Sequence, residues 1–386
     1  EEILFTSFQP HSGLIPAFPR KNINCIMVKG LRKSLILSCV LALFLPSVAS
    51  ADMNVSRIAG ANRCETALKV QQKYFTKASG NLAVLASGTD FRTALYGSYM
   101  ANALKVPFYV IPNAGMSKAM LDELKNKDVR RAYIMGDYNK LNKSINNSLK
   151  SINVVPVRYT DKSPYKWADE FTTQIDTSIF DTYFHGEPRG DIGSLILIND
   201  KKFPDILSAV PFTSELARKH AMEMVGYGSI NNLLIPGAEY SDGYGFIIGG
   251  YSSVPSKFIT YQDYDKPVGL IRHEWVDEEN GDEHEFYTGR IAGQNRYKTA
   301  IEIAKAYKPV LKRSIDTVVL VDGTNYPDAL ASGTVATMNN GAILLTEPGK
   351  LNEDTKAFIQ ENNIQNVIIV GGEKSVSKNV ENELRG

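Results

Sequence analysis

The sequence has few of the residues from which cross-links and metal sites are built. Its 386 residues include three cysteines and five histidines. Cys25 and Cys39 lie in a segment that we expect to be removed, which leaves Cys64 without a partner and excludes a disulfide framework. The sequence contains no Cys-x-x-Cys pair and no His-x-x-x-His spacing. The metal sites with strong sequence signatures are therefore absent, and we expect neither a metal nor another cofactor.

An excess of charge of one sign is also missing. The chain has 43 lysines and arginines against 42 aspartates and glutamates, a formal net charge of +1. No strong electrostatic field therefore favours nucleic acid or a membrane surface, and we expect neither as a partner. The apolar fraction of 43% is ordinary for a globular protein and excludes wholesale disorder. The length allows two or three domains.

The apolar run near the amino terminus is too short to span a bilayer. It covers residues 34–45. It follows a segment at 27–33 that contains three basic residues, and it precedes an Ala-x-Ala site at 49–51. This order is typical of a secretory signal peptide. We therefore predict that residues 1–26 are a spurious upstream extension, that residues 27–51 are a signal peptide, and that the mature chain is secreted without a membrane span. The alternative is a buried helix in a larger domain.

Internal repetition is the strongest feature that the sequence does have. Residues 57–67 read RIAGANRCETA, and residues 290–300 read RIAGQNRYKTA. We call these two segments the repeat heads. In both copies a Gly-x-Asn-Arg loop leads into an apolar helical pattern, with Asn or Arg near the helix cap. Such self-similarity indicates a repeat architecture.

Each copy continues with buried strands that are separated by helices. The predicted strands lie at residues 82–86, 107–111 and 132–135 in one copy and at 317–321, 342–345 and 367–370 in the other. A polar turn and a small-residue helix follow the first strand of each copy. Unbroken apolar runs separated by helices indicate a parallel sheet that is covered on both faces.

A third, degenerate copy lies between these two. Its strands are predicted at residues 195–198, 233–236 and 245–250. Its helix start, Pro204-Asp205, matches Pro327-Asp328. Of the repeat head only Arg158 remains, because a proline stands where the other copies have their second arginine. An insertion around residues 172–193 makes this copy longer.

These matches give the predicted domain organisation. The first repeat is predicted at residues 52–152, the second at 153–264 and the third at 287–386, with a linker at 265–286. The acidic residues from Asp277 to Glu285 favour a solvated linker. A calcium site is the alternative, although the spacing matches no EF-hand loop. The fold class is therefore predicted as α/β, with three tandem open parallel-sheet modules.

Four motifs together resemble the cell wall binding repeat 2 family. They are the repeat head, the Pro-Asp-Ala-Leu helix start at 327–330, the Ile-Leu-Leu strand at 343–345 and the Ile-Ile-Val-Gly-Gly strand at 368–372. The resemblance covers residues 55–386 and is only partial in the second repeat. This family occurs in clostridial surface and S-layer-associated proteins, usually as three tandem repeats.

The resemblance implies both an arrangement and a function. It implies three modules packed around a pseudo-threefold axis. It also implies that the chain anchors a secreted protein non-covalently to the Gram-positive cell wall, by binding an anionic secondary wall polymer. The implied partners are an anionic cell wall polysaccharide and S-layer proteins, and the implied location is the cell surface.

Arginines are the candidates for contact with such a polymer, because a guanidinium group can bind two oxygens of a phosphate or carboxylate. The predicted polymer-binding residues are Arg57, Arg63, Arg158, Arg290 and Arg296. The alternative is that each arginine pairs within its own repeat, with Asp205 and Asp328 as structural partners. The copies lose the second arginine and the aspartate separately, which predicts that one of these groups faces solvent or pairs across repeats.

The sequence gives little sign of a catalytic site. No histidine falls in a repeated position, and a Gly-x-Ser-x-Gly motif is absent. Repetition of a degenerate unit favours multivalent binding over a single active site, so we predict a non-enzymatic protein. The alternatives are an exported wall hydrolase with a site between repeats, and a structural component of a surface layer.

Overall fold

The computed structural model describes residues 53–159, 195–220, 222–229, 245–258, 268–276, 281 and 283–385. The predicted signal peptide and the predicted insertion around 172–193 lie outside the described residues. The chain divides into the units Glu1–Ala49 and Ser50–Gly386, and the second unit holds every described residue. Within that part of the chain, no helix is long and apolar enough to cross a membrane.

Strands and helices alternate along the chain. The first described stretch contains β1 (Asn54–Ile58), α1 (Arg63–Tyr74), β2 (Leu82–Ser87), α2 (Phe91–Leu104), β3 (Phe108–Ile111), α3 (Lys118–Asn126), β4 (Arg131–Met135), α4 (Ser144–Lys150) and β5 (Val155–Tyr159). The middle stretches contain β6 (Leu195–Ile198), α5 (Phe203–His220), β7 (Glu223–Gly226), β8 (Phe246–Ile248) and β9 (Gly269–Val276). The last contains β10 (Glu283–Ile291), α6 (Arg296–Leu311), β11 (Thr317–Asp322), α7 (Ser332–Met338), β12 (Gly341–Thr346), α8 (Glu353–Glu361), β13 (Asn366–Val370) and α9 (Lys378–Arg385).

Each repeat head is a tight turn from a strand into a capped helix. The Asn62 side chain accepts the N–H groups of Cys64 and Glu65 at the start of α1, and Asn295 accepts that of Lys298 at the start of α6. Such caps satisfy backbone donors that the helix itself leaves free. Of the two residues predicted near the helix cap, the asparagine is therefore the cap in both copies, and the arginine is the first residue of the helix.

Glycine is required in this turn because the chain passes very close to the helix. A Cβ at Gly60 or Gly293 would overlap the first helical turn. The N–H of Gly60 donates to the Thr66 hydroxyl at 2.9 Å, and that of Gly293 donates to Thr299 at 3.1 Å. The Gly-x-Asn-Arg-x-x-Thr pattern of the head therefore encodes a helix start.

The strands form three sheets with the same internal order. The orders are β3-β2-β4-β5, β7-β6-β8-β10-β9 and β12-β11-β13-β1. All neighbouring strands run parallel except β9 and β10, which are antiparallel. The central strands β2 and β11 are buried along their whole length. The predicted α/β class with open parallel sheets is confirmed, and the packing around a pseudo-threefold axis stays a prediction.

Each sheet takes one strand from the next repeat. Strand β5 carries Arg158 into the first sheet, and β10 carries Arg290 into the second. Strand β1, which carries Arg57, lies beside β13 in the third sheet, with a register that runs from Asn54 opposite Asn366. The first and last strands of the described chain are therefore neighbours. Because a strand needs a paired neighbour for its backbone groups, no repeat completes its sheet alone.

The helix that follows the first strand of each repeat packs at the centre of the fold. Gly333 in α7 faces Ser98 and Asn102 of α2 and Val210 of α5, and a Cβ on this glycine would lie 2.6 to 2.8 Å from their atoms. The Ser214 hydroxyl of α5 also donates to a carbonyl of α2 at 2.9 Å. One continuous hydrophobic core consequently joins all three repeats.

The middle repeat differs from its prediction in one strand. The sheet position next to β6 is occupied by β7 at residues 223–226. The strand predicted at 233–236 lies outside the described residues.

The predicted linker at 265–286 is wrong in its described part, because β9 and the first half of β10 form an antiparallel hairpin. Its described charges form ion pairs within the hairpin while remaining partly exposed to solvent. Arg272 bonds Glu285 at 2.7 Å, and the His273 ring stacks 4.5 Å from that of Phe286. The acidic residues Asp277, Glu278, Glu279 and Asp282 lie outside the described residues.

Candidate functional site

The first arginine of each repeat bridges two repeats. Each of these arginines lies on the strand that the neighbouring sheet takes over, and donates to the carbonyl of the glycine that follows the adjacent strand. The three bonds are Arg57 to Gly371 at 2.8 Å, Arg158 to Gly136 at 3.2 Å and Arg290 to Gly249 at 2.9 Å. The backbone N–H groups of the same glycines donate to backbone carbonyls of the arginine-bearing strands at 2.9 to 3.0 Å. The acceptors are Ile58 for Gly371, Tyr159 for Gly136 and Ile291 for Gly249. We call these three contacts the junctions.

The junction glycines have a backbone conformation that favours glycine. Their φ angles are +121° at Gly136, +115° at Gly249 and +126° at Gly371. A side chain at such an angle is strained, whereas glycine adopts it readily. Each repeat therefore turns at a glycine directly after its last strand.

A second contact fixes each junction arginine. The Arg57 guanidinium forms an ion pair with Glu381 of α9 at 3.1 Å, and that of Arg158 donates to Asn146 of α4 at 2.6 Å. Arg290 is 3% exposed and donates to the carbonyls of Val254 and Phe258 at 2.9 and 3.0 Å. In the structure these three arginines thus bind protein groups. Their contact with a polymer stays a prediction.

The Glu381 carboxylate is held by several cations. Hydrogen bonds from Lys378, Arg385 and Arg57 lower its pKa to about 2, against the opposing effect of its partial burial. Lys378 and Arg385 belong to the same helix, whereas Arg57 comes from the other end of the chain. The carboxylate therefore joins β1 to α9.

Two of the junction arginines are each covered by a half-exposed tyrosine. The Arg158 guanidinium lies 4.5 Å from the ring centre of Tyr138, and that of Arg290 lies 4.4 Å from that of Tyr251. These tyrosines are 50% and 51% exposed. Their rings separate the guanidinium groups from bulk water and contribute cation–π attraction.

The second arginine of a repeat head is placed differently. Arg63 and Arg296 are the first residues of α1 and α6 and turn toward the loop after the first strand of their own repeat. Arg63 donates to the Gly88 carbonyl, and Arg296 donates to that of Gly323 at 2.6 Å. Arg63 is half-buried and Arg296 is exposed. A carbonyl acceptor leaves the full charge on each guanidinium group.

Three aromatic rings, one from each repeat, meet near these arginines. Phe91 and Phe203 begin α2 and α5, and Tyr326 precedes the short 3-10 turn Pro327–Ala331. The ring centres lie 5.3 Å (Phe91 to Tyr326), 5.6 Å (Phe203 to Tyr326) and 6.2 Å (Phe91 to Phe203) apart. All three side chains are partly exposed. We call this group the aromatic triangle.

Sequence comparison aligned these three positions but did not predict that they meet. Each ring follows the first strand of its repeat, so the three rings lie at the carboxyl ends of the three central strands. The Arg296 guanidinium lies 5.9 Å from the centre of the Phe203 ring. The triangle is therefore an apolar surface with a cationic neighbour.

A third guanidinium group that binds one of these loops belongs to Arg92, a residue that sequence reasoning did not single out. Its Nε donates to Asp200 of the middle repeat at 2.5 Å. The Asp200 side chain is fully buried, and that of Arg92 is 30% exposed. This ion pair crosses from the first repeat to the second.

The structure corrects the predicted pairing of Asp205 and Asp328 with arginines of their own repeats. Both carboxylates accept a serine hydroxyl at 2.6 Å, Asp205 from Ser253 and Asp328 from Ser375. Burial raises the pKa of Asp205, while Ser253, Lys202 and Arg296 lower it. The carboxylates therefore tie a helix start to the turn after the last strand. The prediction failed because the junction arginines lie in the sheets of other repeats.

Among the described residues, no group of three or more histidine, cysteine, aspartate or glutamate side chains is placed to hold a metal ion. The thiol of Cys64 is half-buried, and burial raises its pKa. The site that the geometry offers is instead the aromatic triangle with its surrounding arginines.

Comparison with known families finds a match in two segments. The family described as Cell wall binding domain 2 (CWB2) matches residues 57–146 and 290–381. Each segment begins at a junction arginine, and the segments end at the two side chains, Asn146 and Glu381, that bind such arginines.

Two curated proteins of Bacillus subtilis (strain 168) are similar over most of this chain. N-acetylmuramoyl-L-alanine amidase LytC is 23% identical over 348 residues, which is 89% of this chain and 60% of the relative. Amidase enhancer is 22% identical over 333 residues, which is 85% of this chain and 40% of the relative. The chain thus spans less than two thirds of each relative.

Two solved structures from Clostridium difficile share the fold. Cwp6 aligns with 86% of this chain and 48% of its own at a TM-score of 0.62 and 17% sequence identity. Cwp8 aligns with 86% of this chain and 51% of its own at a TM-score of 0.63 and 15% sequence identity.

Proposed function

We propose that this chain, whose residues 57–146 and 290–381 match the Cell wall binding domain 2 family, anchors a secreted protein non-covalently to the Gram-positive cell wall. The ligand in this proposal is an anionic wall polysaccharide. The family match and the fold likeness to Cwp6 and Cwp8 support a location at the cell surface. Secretion through the signal peptide and contact with S-layer proteins are parts of the same proposal.

The observation that carries the proposal is the aromatic triangle, with Arg296 5.9 Å from the Phe203 ring and Arg63 bound to the loop that leads into Phe91. An aromatic ring presents an apolar face against which the C–H face of a sugar packs. A guanidinium group whose acceptor is a carbonyl keeps its charge for an acidic substituent of the same polymer. The two chemistries together fit an acidic polysaccharide better than they fit a neutral sugar or a small anion.

Binding accounts for the architecture better than catalysis does. The site is assembled from equivalent positions of several repeats, so weak contacts to successive units of a polymer add through tethering. Likeness to the LytC amidase is the observation that favours the second candidate, a wall hydrolase. Release of soluble wall fragments by the purified chain would support that candidate.

The proposal is tested by the double variant Arg63→Gln/Arg296→Gln in sedimentation with isolated Gram-positive cell walls. We expect its affinity for the walls to fall about tenfold or more, because two charge-assisted contacts are lost. A matched control is Arg130→Gln. Arg130 is exposed and pairs with Asp128 just before β4, at the amino ends of the strands, whereas the aromatic triangle lies at their carboxyl ends. Equal retention of the double variant and the control would refute the assignment of the site.

A further inference from the structure

Three loop residues around the aromatic triangle follow one rule. Gly88, Asp200 and Gly323 each stand three positions before a ring of the triangle and each bind a guanidinium group. The donors are Arg63 and Arg296 in the outer repeats. In the middle repeat the donor is Arg92, which belongs to the first repeat.

The acceptor atom distinguishes the middle position from the other two. Arg63 and Arg296 donate to neutral backbone carbonyls, whereas Arg92 donates to the carboxylate of Asp200. A carbonyl leaves the positive charge in place, and a carboxylate in direct contact cancels it. Because the Asp200 side chain is fully buried and that of Arg92 is 30% exposed, water screens this pair only in part.

The neighbouring strand shows that this carboxylate has a space made for it. In the outer repeats the loop glycine faces a bulky residue, Val110 for Gly88 and Leu345 for Gly323, and a Cβ on either glycine would lie 3.0 Å from that side chain. In the middle repeat the sizes are exchanged. Asp200 faces Gly226, where a Cβ would overlap the carboxylate.

We propose that Asp200 switches off the anion-binding position of the middle repeat. It neutralises Arg92 and so confines the acidic groups of the polymer to the arginines of the first and third repeats. The inference rests on the proposed binding of an anionic wall polymer. Asp200 therefore determines the charge spacing that the protein selects along the polymer.

The test is a gain of affinity in Asp200→Asn, which keeps the size of the side chain and an oxygen acceptor for Arg92. The variant raises the local charge by one unit. Its affinity for isolated cell walls at low salt should rise about three- to fivefold, the upper part of the range for one exposed charge contact. Adding Arg92→Gln to this variant should return the affinity to the wild-type value.

A matched control carries the same charge change at the amino ends of the strands, away from the aromatic triangle. Asp128→Asn removes an exposed carboxylate just before β4, where the backbone has a φ of +59° that asparagine tolerates. Its affinity should stay at the wild-type value. Thermal unfolding of all variants shows that each is folded.

The outcomes separate this inference from the proposed function. If wild type sediments equally with intact walls and with walls stripped of phosphodiester-linked polymers by hydrofluoric acid, the proposed function fails. If wild type needs the polymer and folded Asp200→Asn shows no gain in affinity, the inference alone fails.

If Asp200→Asn does not fold, the double variant Arg92→Gln/Asp200→Asn tests the inference instead. The double variant must stay within about twofold of wild type, since a neutral pair replaces a neutralised one, and a larger loss overturns the proposal.

Discussion

Arg290 and Arg296 stand six residues apart in one repeat head, yet they belong to different parts of the molecule. Arg290 is 3% exposed and donates to carbonyls of the preceding repeat. Arg296 is exposed and begins the first helix of its own repeat. The difference arises because the strand that carries Arg290 joins the sheet of the preceding repeat, whereas the helix that begins at Arg296 packs in its own repeat. One sequence motif therefore supplies both a junction between repeats and one part of a binding surface.

The largest expected effect comes from breaking a junction. Arg290→Met leaves several buried carbonyls without a donor, so we expect the free energy of unfolding to fall by about 3 kcal/mol. Arg296→Gln should change it by less than about 0.5 kcal/mol, the usual range for an exposed substitution. Urea unfolding of the two variants measures the difference. Equal losses would show that the two arginines are not distinguished by their placement.

The junction between the chain ends gives a smaller effect that depends on pH. Glu381→Gln removes the ion pair with Arg57 and should cost about 1.5 kcal/mol near neutral pH. The folded-state pKa of Glu381 is about 2, below its ordinary value of 4.5, so its stabilising contribution is complete above pH 4.5 and disappears as the pH falls toward 2. Unfolding curves of wild type and variant should therefore converge across this window. A stability difference that stays constant down to pH 2 would contradict the junction.

On the binding side of the comparison, the single variant Arg296→Gln should reduce affinity for cell walls about fivefold, equivalent to about 1 kcal/mol. The loss should shrink as salt is added, because exposed charges are screened. Sedimentation with walls at two ionic strengths gives both values. A loss that is independent of salt would point to a packing role for Arg296.

The smallest expected effect comes from removing the tyrosine ring that covers a junction arginine. Tyr251→Ala removes the ring above Arg290, and we expect a loss of about 0.5 kcal/mol in unfolding free energy, the size of an exposed cation–π contact. Wall affinity should stay unchanged, because the ring lies at the junction and not in the aromatic triangle. Reduced affinity in this variant would extend the binding surface to the junctions.

Local sequence patterns predicted the parts of the fold that local physics determines. The helix starts at the repeat heads and the buried strands depend on neighbours in the chain. Which sheet receives a given strand does not. Nothing in the short apolar pattern of β1 indicates that it pairs with β13, more than 300 residues away.

The errors in the site have the same origin. Asp328 was assigned to an arginine because both occur in one repeat, but its partner is Ser375, and the junction arginines cross to other repeats. The pair of Arg92 with Asp200 was missed because it joins non-equivalent positions of two different repeats, and alignment of the copies compares equivalent positions only. The hairpin of β9 and β10 was missed because its paired charges resemble those of a solvated segment.

The central claim is that Arg63 and Arg296, together with the aromatic triangle, hold an anionic wall polymer. Its most direct test is the dissociation constant of wild type on intact walls and on walls stripped by hydrofluoric acid, measured at rising salt. The account predicts tight binding to intact walls that weakens with salt, and little binding to stripped walls. Equal affinity for both, at every salt concentration, would contradict it.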